Sequence, residues 1–140
     1  MSGTLWGAVG DLLKWQTENK GKTGGRCLEA VRYALGTQGF HLPVSNVDYT
    51  GEFAICCGEV LWADNAKWRW ASYPSLPHDL QPSLVFFRNC GKLTSGKYKG
   101  QWAGHVAIYK PSTGIHIANA KYAMSDWWKS RIAYIFRPLP

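Results

Sequence analysis

No apolar run in the 140-residue chain approaches the roughly 20 residues needed to cross a bilayer, so no membrane-spanning helix and no stable membrane insertion are expected. Charge is sparse and one-sided. Only 18% of residues are charged, and nine Asp and Glu face sixteen Lys and Arg, a net charge of +7. With 46% hydrophobic residues, that composition excludes a disordered acidic chain and describes a folded one. The basic residues form no tract, because Lys14, Lys20, Lys22, Arg26, Lys92, Lys97, Lys99 and Lys110 are scattered. Their diffuse field predicts attraction to polyanionic surroundings without a dedicated nucleic-acid arm. The four cysteines, Cys27, Cys56, Cys57 and Cys90, contain no C-x-x-C pair with histidines at zinc spacing, which argues against a structural metal. The opening "MSGTLWGAVGDLLKWQTENK" lacks the basic start, apolar centre and cleavage site of a signal peptide, predicting cytoplasmic synthesis.

What is present fits one domain over residues 1–140. Eight tryptophans exceed what so small a core needs, placing some at the surface, where indole packs on sugars, peptides or a partner. Leu5, Val9, Leu12 and Leu13 recur at helical spacing and predict a helix over 4–18, ended by "NKGKTGG". Cys27, Ala30, Val31, Ala34 and Leu35 share one face of a second helix, with Gly36 as its expected C-cap. Within 46–72, "EFAICCGEVLWADNAKWRWA" reads as one or two short helices followed by a loop through "YPSLPHDLQP". "SLVFFR", "GHVAIYK", "IHIANA" and "IAYIFR" read as strands. Helices first and an antiparallel sheet afterwards make an α+β domain.

Within that frame, "GGRCLEAVRYAL" places Cys27 at the first turn of a helix behind two glycines. There the helix dipole and free N–H groups favour a thiolate and are available to an oxyanion. Cysteine catalysis also needs a base and a group to orient it. His105, after Gly104 at the start of a strand, is the expected base. If 115–120 is one regular strand, Ile115, Ile117 and Asn119 share a face and His116, Ala118 and Ala120 share the other, so only Asn119 or His116 can point at His105. On spacing alone, Cys27 as a core thiol and His105 as a satisfied strand histidine is the favoured explanation of these positions. Cys56 and Cys57 read as small buried hydrophobes, with a disulfide from one of them to Cys90 left open. His41 and His78 read as surface or packing residues. Trp127-Trp128, and Trp68 with Trp70, fit either a substrate groove or a cap on the core.

From Cys27 to residue 138 the chain resembles the NlpC-type and CHAP-type cysteine peptidases and amidases of bacterial cell walls. "CLEAVRYALGTQGFHLP" is similar to their nucleophile helix, "LQPSLVFFR" to their first core strand, "GHVAIY" to the strand of their catalytic histidine, and "AYIFRP" to the last strand of CHAP domains. The resemblance implies a papain-like core with Cys27 as nucleophile and His105 as base. The NlpC pattern suits His116 as third residue and the CHAP pattern suits Asn119, which the longer interval and the ending favour. The chain departs from the pattern at Arg26, where many relatives carry aspartate, at Ser83-Leu84 in place of Gly-Asp, and in the lysine-rich insert "NCGKLTSGKYKGQWA", a loop next to the expected site that fits either a substrate contact or a mobile surface loop.

The expected activity is therefore thiol-type peptidoglycan hydrolysis, cutting an amide of the peptide stem or crosslink without metal or cofactor. A monomeric lysin without an export signal needs delivery, as by a phage holin or a secretion system that injects antibacterial amidases, where an immunity protein would be a partner. The competing readings are a non-catalytic glycan- or nucleic-acid-binding module on the same fold, and a cysteine protease or acyltransferase with another substrate.

Overall fold

The computed structural model describes residues 3–43, 54–93 and 99–140. Helix α1, Leu5–Glu18, begins where the Thr4 hydroxyl accepts the N–H of Gly7 at 2.9 Å, supplying one of the partners a helix start lacks. Its buried stripe is Leu5, Ala8, Val9, Leu12 and Trp15. It packs on α2, Cys27–Thr37, which buries Leu28, Ala30, Val31, Ala34 and Leu35. Cys27 sits half-buried at the end of that stripe. The helix does not stop at Gly36, contrary to the sequence expectation. It runs to Thr37, and the left-handed residue that turns the chain back is Gly39, at φ 80°, after which Phe40 N–H returns to Leu35 O at 2.9 Å.

The α+β class is observed. Strands β1 (Trp70–Tyr73), β2 (Ser83–Phe87), β3 (His105–Lys110), β4 (Ile115–Ile117), β5 (Lys121–Ala123) and β6 (Ile132–Pro138) form one antiparallel sheet in the order β1-β6-β2-β3-β4-β5. β2 lies in the middle and is buried at all five positions, as its unbroken apolar run demands. α2 packs on β3, and a third helix, α3 (Ala54–Ala63), packs on β2, β3 and β6. A single turn, α4 (Asp126–Lys129), precedes β6.

Two local expectations are corrected, and two readings left open are decided. The run "WASY" is strand β1, neither helix nor loop, because Trp70–Tyr73 pairs with Ile135–Pro138 from the far end of the chain. Arg69, at φ 67°, makes the turn into it. Trp70 lines no groove: it is 1% exposed, and its indole N–H donates to His41 O at 3.0 Å. The segment "IHIANA" is strand only to Ile117, since Ala118 N–H turns back to Ala120 O at 2.9 Å. All four cysteines are free thiols, so the disulfide left open to Cys90 is not formed. Cys57 is buried as expected, its Sγ 3.4 Å from Pro43 O, while Cys56 is half-buried.

The junction that starts β3 leaves no room for a side chain. Gly104 has φ 76°, and a Cβ there would lie 2.7 Å from Ile55 Cβ and 2.8 Å from Phe87 O. Gly104→Ala is therefore expected to lower unfolding free energy by about 3 kcal/mol or more, combining left-handed strain with overpacking. Gly114→Ala, at φ 66° with open space around it, should cost only the backbone part, about 1 to 2 kcal/mol. Equal losses for the two variants in denaturant titrations would contradict this reading.

Candidate active site

The first turn of α2 carries N–H groups with no helical acceptor, and Arg26 at the N-cap offers no side-chain cap. The backbone amides of Cys27 itself, of Leu28 and of Val106 in β3 each favour the Cys27 thiolate. Burial opposes them and prevails, so the Cys27 thiol is pushed above the ordinary range and rests protonated. Arg26 is not part of this balance. Its guanidinium stacks on Trp15 at 4.8 Å, donates to Lys22 O at 2.7 Å and to Asn19 Oδ1 at 3.2 Å, and pairs with Glu29. It fastens the α1–α2 loop instead.

His105 opens β3 and is 7% exposed. Its ring lies in a box of aromatic side chains, with centroids 5.0 Å from Tyr122, 5.0 Å from Trp128, 5.7 Å from Phe87 and 5.6 Å from His116. Burial, with the neighbouring His116, holds its pKa down to about 3. His116 is fully buried, stacked on Tyr122 at 5.2 Å, and burial holds it down to about 4. Among the described residues, His105 Nε2 and both ring nitrogens of His116 have no hydrogen-bond partner. The resting state is thus a neutral thiol and two neutral imidazoles.

The structure brings Cys27, His105 and Asn119 to the wall of one cavity of about 430 Å³, together with Tyr122, Trp128 and Cys90. Asn119 faces it because β4 has already ended, so the strict alternation that made His116 and Asn119 exclusive does not apply. Neither hydrogen-bonds His105. Asn119 Nδ2 donates to Thr23 O at 2.9 Å, and its Oδ1 accepts the Tyr122 hydroxyl at 3.1 Å. It braces the loop that delivers Cys27 against the turn at 118–120, which Gln16 also holds by donating to Ala118 O at 2.9 Å. His116 lies behind His105 in the aromatic box.

Sequence reasoning missed Tyr122 as part of this wall, and it placed the insert that begins at Asn89 beside the site without giving the Cys90 thiol a part in it. Tyr122 gave no periodic signal within "AKYA", and Cys90 read as a disulfide candidate. The Trp127-Trp128 doublet divides its roles: Trp128 packs into the box while Trp127 is 49% exposed beneath the Arg131 guanidinium, 3.7 Å away. Among the described residues, no group of three or more His, Cys, Asp or Glu side chains is placed to hold a metal. Comparison with protein-family models, curated proteins and solved structures finds no match to the chain.

The neutral histidines carry a stability signature. Both are depressed in the folded state, so the unfolded chain binds more protons from about pH 6.5 downward. Stability is then fully present above about pH 6.5 and falls as the pH drops toward 4, by up to about 1.4 kcal/mol per pH unit for each ring. His116→Leu should remove its share, leaving a shallower acid limb in urea midpoints measured between pH 7 and 4.5. Parallel limbs for variant and wild type would show that His116 is not held neutral.

Proposed function

We propose that this chain is a cysteine hydrolase with a papain-like core that cleaves an amide of bacterial peptidoglycan, in the peptide stem or its crosslink. The observation that carries the reading is one cavity wall shared by Cys27, at the start of α2, and His105, at the start of β3. The order helix, then histidine strand, then the turn with Asn119 matches what the cell-wall peptidases and amidases use. Basic charge suits an anionic wall polymer.

In this reading His105 takes the Cys27 thiol proton as Sγ attacks the scissile carbonyl. The tetrahedral oxyanion meets the uncapped amides at the first turn of α2. His105 then gives the proton to the departing amine as the C–N bond breaks, leaving a thioester on Cys27. Water, deprotonated by His105, releases the acid. Because thiol and imidazole both rest neutral, proton transfer accompanies attack, and the surrounding aromatic rings keep bulk water away from it. Asn119 is a positioning residue that acts through Thr23 and Tyr122, and His116 shapes the ring environment of His105.

Purified sacculi digested by wild-type protein should release muropeptides whose masses name the bond. Cys27→Ala and His105→Ala should each reduce release by about a thousandfold or more while remaining folded, and the double variant should be no worse than either, since the pair acts as a unit. Asn119→Ala should retain measurable turnover and lose about 1 to 3 kcal/mol of stability, because it strands the Tyr122 hydroxyl and Thr23 carbonyl. Folded wild-type protein that binds sacculi without releasing fragments would favour the binding-module reading.

A further inference from the structure

The cavity beside Cys27 is electrically lopsided. Lys92 is the one charged side chain on its wall among the described residues, which place no carboxylate there. Lys92 is held rather than free to wander. Its backbone bridges to Trp102, and its ammonium lies 5.6 Å from the centre of the Trp102 ring. The α2 N-terminus, with its uncapped amides, adds partial positive charge on the Cys27 side. His105, on the same wall, is held neutral by its buried surroundings and adds no charge of its own.

We infer that Lys92, seated against Trp102, is a specificity residue that recognises a free carboxylate close to the amide being cut, so that the preferred acyl donor is anionic near its reacting carbonyl. This deepens the hydrolase reading and rests on it for the word substrate, but the anion preference belongs to the cavity itself. Lys92 is exposed at the cavity rim, and an ammonium there within several ångströms of a bound carboxylate favours it by about threefold to tenfold over a neutral analogue at low salt. The indole limits the freedom of the lysine stem, lowering the entropy lost on pairing.

The test uses Cys27 as its own reporter. The full chain is alkylated with iodoacetate, which bears a carboxylate, or with neutral iodoacetamide, and the rate at Cys27 is read by peptide mass spectrometry. The ratio of the two rates cancels any change in thiol ionisation. Lys92→Gln should lower the iodoacetate-to-iodoacetamide ratio about threefold to tenfold at low salt, and added salt should narrow the gap. Lys14→Gln, which removes the same charge from the exposed side of α1, should leave the ratio unchanged.

An unchanged ratio in Lys92→Gln, or an equal fall in Lys14→Gln, would overturn the assignment in favour of a diffuse field. Absence of labelling by either reagent in wild type would overturn it too, since no small carboxylate then reaches the cavity. Failure of the hydrolase reading shows separately, as inert sacculi alongside an intact alkylation ratio.

Discussion

The site depends on how the N-terminus of α2 closes over the first residues of β3. A helix start and a strand start meet there: α2 packs on β3, and the backbone amides of Val106 and of the first turn of α2 favour a Cys27 thiolate. The amides of that first turn have no side-chain cap and are free to meet an anion. Everything around this junction keeps it in place. Gly104 adopts a left-handed conformation that no larger residue fits, Arg26 fastens the preceding loop to Trp15, and Asn119 ties Thr23 to Tyr122. The function proposed for the chain uses groups that this junction holds in place.

Burial then sets the chemistry. His105 lies among Phe87, Tyr122, Trp128 and His116, surroundings that disfavour an imidazolium. The same desolvation raises the thiol. A pair that is neutral at rest differs from a preformed thiolate–imidazolium pair, because under the proposed hydrolysis the proton would move as the carbonyl arrives. The cost of housing two uncharged histidines appears as acid sensitivity of the fold, so one arrangement links stability and reactivity.

Much of the architecture is legible along the chain. The stripe from Leu5 to Trp15, the face of α2, the wholly apolar run of β2 and the two-residue alternation of β3 are local patterns, and each forms the element its period implies. The elements that were not legible owe their form to distant partners. β1 is a strand because β6 offers Ile135–Pro138 to pair with, a contact across more than sixty positions that no window around Trp70 contains. The end of β4 at Ile117 is set by a turn closed through Ala118 and Ala120, and it alters which residues face the cavity. The site divides in the same way. Cys27 and His105 stand out because helix start, glycine and strand start are local signals, and the insert that carries Lys92 is legible as a loop beside them, whereas Tyr122 reaches the cavity only through the folding of the sheet edge.

The central claim is that Cys27 carries an acyl group during turnover, and acid-quenched intact-mass measurement of wild-type protein mixed with soluble muropeptides tests it most directly. The account predicts a transient adduct with the mass of the acyl fragment, mapped to the Cys27 peptide, absent in Cys27→Ala and decaying as free acid appears. Product release at the wild-type rate from Cys27→Ala, with no adduct on the native chain, would contradict it.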